Sequence, residues 1–267
     1  MSGFVGRAQE VARRLPSWLT EKVPRDHWES DAAFRRRRRV VTGTTVAGAS
    51  LLGLSLSTEP DTKEFYGLTA AVAGTWVLGG FASGPLHLGY QQRRTQQELE
   101  RPVVTPVALG LGAFGVFYAA ALVAREIPFL DRALANILTF ADEGNAALTL
   151  GTTLLNGAAE EVFFRGAMYA AAGVGQPVAK TTAVYTLATV PTRNPALILA
   201  AGVMGTVFAV QRRATGGIQA PLLTHLTWSS LMYRFLPPLF TSQKAKARRA
   251  RLGRRPPRSG PASPAVS

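Results

Sequence analysis

Six apolar blocks, residues 40–57, 66–90, 103–124, 146–172, 195–211 and 218–236, alternate with the segments that hold most of the charge. A helix rises about 1.5 Å per residue, so about 20 apolar residues cross a hydrocarbon core. No water reaches that core, and a chain crossing it must satisfy its backbone internally. Helical blocks of this length therefore predict an all-α fold: a polytopic transmembrane helical bundle of about six to eight spans. Residues 178–190 form a further apolar stretch that is short for a full crossing. Counted as a crossing, it gives seven spans; counted as re-entrant, it gives six, and the parity stays open. Residues 125–145 mix apolar and charged positions and read as an interfacial helix.

Charge supports a membrane location. Residues 1–39 carry ten Lys/Arg against five acids, residues 40–240 twelve against eleven, and residues 241–267 eight bases and no acid. The five arginines from Arg35 to Arg39 read as a cytoplasmic anchor of the first span. Residues 5–19 read either as an amphipathic helix on an anionic membrane surface or as a solvated extension. No apolar core of signal-peptide type precedes the first block, which is expected to serve as the insertion signal itself. The basic tail is disordered by composition and suited to anionic lipid headgroups, at about 1 kcal/mol per basic residue near the surface. Without interleaved aromatics or a recognisable fold beside it, the tail does not read as a nucleic-acid site. The absence of cysteine excludes disulfides, thiolate metal sites and a Cys nucleophile. High Ala, Arg and Gly content suits a bacterial plasma-membrane protein.

Within the apolar stretch "GAAEEVFFRGAMYAAA", residues 157–172, stand Glu160, Glu161 and Arg165. Each ionisable residue at the centre of a span costs about 2.5–3.5 kcal/mol on insertion scales. Glu161 and Arg165, four apart, share a helix face and can neutralise each other. Alternatively all three lie at the membrane interface, where charge is cheap. At about 100° per residue Glu160 points away from Arg165 and is left over. A carboxylate in an apolar, partly dry site is suited to act as a general base. His225 lies in the apolar segment "APLLTHLTWSSLMYRF", with Ser229 on the same helix face. Asn156, one turn before Glu160, is a further buried polar candidate without an assignable role.

These residues carry a resemblance. "EEVFFR" is similar to the EExxxR motif of the CPBP family, the CAAX-protease and bacteriocin-processing (Abi) intramembrane endopeptidases. In that family FxxxH follows on the next helix and HxxxN or HxxxD on a later one, and the order is similar here across about residues 145–236. The resemblance implies motif helices around an internal polar cavity and a membrane-embedded or lipid-anchored protein substrate. It makes Glu160 the base that activates water, Glu161 and Arg165 its support, and His225 a metal ligand or a group polarising the scissile carbonyl. Charge and hydropathy divide the rest of the chain into a basic cytoplasmic extension (1–39), transmembrane helices with an interfacial helix (40–144) and the tail (241–267), and the resemblance marks a CPBP/Abi-like protease domain (145–240).

Two motifs depart from the pattern. Thr189 stands where the family has a histidine, in Tyr185-Thr-Leu-Ala-Thr189, and Ser229 stands where it has Asn or Asp. The other histidines are His27, in the N-terminal extension, and His87, near the end of the second block. Threonine is a poor zinc ligand beside imidazole. Glu160, Glu161 and His225 still offer a three-ligand set for Zn²⁺, at the cost of a glutamate otherwise free to act as base. Two readings follow: an endopeptidase with a weakened second motif, or a catalytically inactive relative that binds peptides or partner membrane proteins.

Overall fold

The computed structural model describes residues 28–92, 98–173 and 175–240. Ser30 opens the first helix, its hydroxyl accepting from the Ala33 amide at 3.2 Å. Helix α1, Asp31–Ser55, thus includes the arginine run, and the boundary expected after residue 39 falls inside it. Four of those arginines are exposed, whereas Arg37 is fully buried between the Glu29 carboxylate (3.2 Å) and the Ser83 hydroxyl (3.3 Å). The helix expected over 5–19 and the tail lie outside the described residues, as does His27.

Helix α2, Lys63–Ser83, stops earlier than the apolar block suggested. Gly84 takes φ 135°, a region closed to L side chains, and Pro85 disfavours helix in the residue before it. The chain then runs extended beside the later turn at residues 215–219, with Tyr90 N donating to Thr215 O and Gln219 N to Leu88 O. Two short strands, β1 (Gln91–Gln92) and β2 (Leu99–Glu100), pair antiparallel. Then come α3, Val104–Ala124, and the amphipathic α4, Pro128–Glu143.

The motif helix runs without a break through α5 (Ala146–Glu160), a π-helical segment (Glu161–Met168) and α6 (Tyr169–Ala172). The 100° step assumed from sequence therefore ends at Glu160, because the wider i→i+5 turns that follow re-aim every later side chain. The remaining helices are α7 (Pro177–Thr189), α8 (Pro195–Thr215) and α9 (Gln219–Phe235). By length and composition α2, α3 and α8 are each able to cross a membrane. With so little strand, the described residues form an all-α helical membrane bundle.

Contacts at the helix ends decide the path of the chain. One end of the bundle gathers Arg37 with Ser83, Leu88 with Gln219, and Pro102 with Gln219. The other gathers Asp61 with Asn145, Ala133 with Asn194, and Leu134 with Leu236 and Phe240. Between them run α1, α2, α3, the motif helix, α7, α8 and α9, an odd number of passes among the described residues. The stretch at 178–190 is thus a pass, although α7 has only 13 residues. Phe240 ends opposite the arginine run.

The packing centre is Trp76 of α2. Its ring lies 4.8 Å from Phe163 and 5.0 Å from Phe164, both on the π segment and both buried. Lipid tails are as apolar as these side chains, so close contact rather than exclusion of water holds such helices together. Gly48 of α1 makes room, because a Cβ there would overlap the indole.

Candidate active site

Glu160 and Glu161 meet different surroundings although they are neighbours in sequence. Glu161, at the start of the π segment, is fully buried and faces α9. Its Oε1 accepts from Arg165 Nη1 at 3.2 Å and lies 2.8 Å from His225 Nδ1. Arg165 is buried too, its Nη2 donating to Gly205 O of α8 at 3.2 Å. The pair therefore sits inside the bundle. A buried pair is maintained by such additional hydrogen bonds, because Coulomb attraction alone does not cover desolvation.

The contact with Glu161 fixes His225. With Nδ1 given to the carboxylate, Nε2 is the ring atom left for other partners, and Phe208 stacks on the ring at 4.7 Å. A Cβ on Gly157 would lie 3.4 Å from Nε2, so the glycine lets α5 approach the imidazole closely.

Glu160, partly exposed, lines a cavity of about 380 Å³ together with His225, Ser229, Thr189, Asn156 and Tyr185. Its Oε2 accepts a 2.5 Å hydrogen bond from the Tyr185 hydroxyl of α7, and Oε1 takes no partner among the described residues. Ser229 Oγ likewise makes no hydrogen bond there. Thr189 does reach the cavity wall, but its hydroxyl donates to the Tyr185 carbonyl at 3.0 Å, one turn back on its own helix. Asn156 spends its amide nitrogen on Thr69 O (3.2 Å) and Thr152 O (3.0 Å), tying α5 to α2. His87 is exposed and outside the cavity lining. Away from these polar groups the wall is apolar, formed by residues such as Leu56, Phe65, Leu134 and Leu138.

Glu160, Glu161 and His225 do not fit one Zn²⁺ ion in this arrangement. The Glu161 carboxylate sits on the Nδ1 side of the ring, whereas a metal on His225 would occupy Nε2, which points away from it. Among the described residues no three His, Asp or Glu side chains gather as ligands of one ion.

Sequence reasoning missed Tyr185 and Gly157 as parts of the site. The signal for Tyr185 was a hydroxyl on the aromatic residue of the second motif, where the family pattern reads Phe. For Gly157 there was none beyond its place one turn before Glu160.

Residues 142–231 match the family model described as type II CAAX prenyl endopeptidase, Rce1-like, consistent with a CPBP family member. At the level of the family this supports a CAAX-protease-like intramembrane endopeptidase, in a chain whose apolar helices are those of a membrane protein. Neither the curated proteins nor the solved structures include a match to the chain.

Proposed function

We propose that the chain hydrolyses a peptide bond of a membrane-embedded or lipid-anchored protein, using water activated by Glu160. One observation carries the reading: Glu160, His225 and Ser229 line one cavity, each with a polar atom that no described residue occupies. A water between Glu160 and a bound peptide gives its proton to the carboxylate as its oxygen bonds to the carbonyl carbon. The carbonyl oxygen becomes an oxyanion. The Ser229 hydroxyl is a donor available to it, and His225, held at Nδ1 by the Glu161 carboxylate, presents Nε2 to the same cavity. Collapse breaks the C–N bond, and the proton held by Glu160 passes to the leaving amine. The apolar wall suits a side chain or lipid anchor that would otherwise lie in the bilayer.

The proposed setting is a bacterial plasma membrane with the arginine-bearing start of α1 in the cytoplasm, near anionic headgroups. Thr189 favours the second reading, an inactive peptide-binding relative, because its hydroxyl is spent on its own helix. Mapping new protein termini across membranes of cells expressing wild type or Glu160→Gln decides between them. Cleavage products confined to wild type are expected; identical termini in both would overturn the protease.

A further inference from the structure

Thr189 itself does not reach the base from the second motif helix, since its hydroxyl turns back to Tyr185 O. The same helix supplies another group one turn earlier. The Tyr185 hydroxyl donates to Glu160 Oε2 at 2.5 Å and reaches the carboxylate from the cavity wall. Its ring is itself held on two sides. The Arg165 guanidinium lies 4.5 Å from the ring centre, and Phe164 meets it edge-on at 4.8 Å. Arg165 also binds Glu161, and Glu161 binds His225. One chain of contacts thus links the Glu160 carboxylate to the His225 imidazole, both of which line the cavity.

We infer that Tyr185 is a positioning residue: its hydroxyl fixes Oε2 of Glu160 and leaves Oε1 as the atom that takes the proton from water. The inference rests on the base assigned to Glu160 above. It assigns Tyr185 a role that neither Thr189 nor any other hydroxyl on α7 fills. Thr181 donates to Pro177 O and Thr186 to Thr182 O, both within their own helix. Thr182 Oγ1 is buried without a partner and is not part of the cavity wall.

Tyr185→Phe removes the hydroxyl and keeps the ring on which Arg165 and Phe164 rest, so the fold is expected to survive. The probe is dicyclohexylcarbodiimide, an apolar reagent that adds to protonated carboxyl groups to form an N-acylurea. It is applied to the full chain in lipid nanodiscs and read by peptide mass spectrometry, with Glu160→Gln to assign the labelled site. Tyr185→Phe is expected to label Glu160 several-fold faster than wild type. On a substrate identified by terminus mapping, kcat is expected to fall about tenfold at unchanged KM, the effect of losing one hydrogen bond to a charged group. An unchanged labelling rate would overturn the positioning role whatever the activity. Faster labelling with no cleavage even by wild type would leave the contact standing and remove the protease reading instead.

Discussion

The π segment has two faces with opposite duties. Phe163 and Phe164 point into the apolar packing around Trp76. Glu161 and Arg165 point toward α7, α8 and α9, where they meet the His225 imidazole, the Gly205 carbonyl and the rings of Tyr185 and Phe208. The first face is held by shape and tolerates loss of volume badly. The second is held by mutual satisfaction of charge, so it fails when one partner goes. Glu160, just outside the segment, belongs to neither: its carboxylate opens to the cavity and has a single protein partner. Glu160 is thereby set apart from the packing, while Glu161 serves both the buried pair and His225.

Substitutions can pull these faces apart. The largest effect is expected from Glu160→Gln, which should abolish cleavage, a loss of about 10²–10⁴ in kcat for a general base, with little change in thermal stability. A collapse in stability would place Glu160 among the structural charges. Next, Trp76→Ala should cost about 3–5 kcal/mol in stability, read as a lower thermal midpoint in detergent, while the fraction still folded cleaves normally. If that fraction is inactive, the two faces are not independent. Glu161→Gln should cost about 3 kcal/mol or somewhat more by stranding Arg165 in the interior, and should also release His225, so stability and cleavage fall together. The smallest effect is expected from Ser229→Ala. With no protein hydrogen bond lost, stability should stay within about 0.5 kcal/mol, while kcat drops about tenfold if the hydroxyl meets an oxyanion. An unchanged kcat would remove Ser229 from the mechanism.

How much of this was legible beforehand depended on distance along the chain. The helical membrane fold followed from block length, and the Glu161–Arg165 pair from an i,i+4 spacing, which the π segment still brings together at 3.2 Å. The end of α2 was misjudged because Leu86, Leu88 and Tyr90 extend the apolar pattern, whereas Gly84 and Pro85 stop the helix. The arginine run read as five equivalent anchors, yet Arg37 is consumed by Glu29 and Ser83. No pattern of charge distinguishes it from Arg36 or Arg38; only the neighbour each faces does.

By itself the sequence determined what the bilayer enforces: helices throughout, polar residues grouped where they can satisfy one another, and a motif region with two altered positions. These are consequences of local periodicity and of the cost of charge in hydrocarbon. Only the tertiary structure decided that Tyr185 rather than Thr189 reaches Glu160, across 25 residues, and that Glu161 orients His225, across 64. It also decided that the short α7 is a pass, which sets Phe240 opposite the arginine run. Each of these depends on which faces of separate helices meet, and that is set by packing between surfaces rather than by spacing within one.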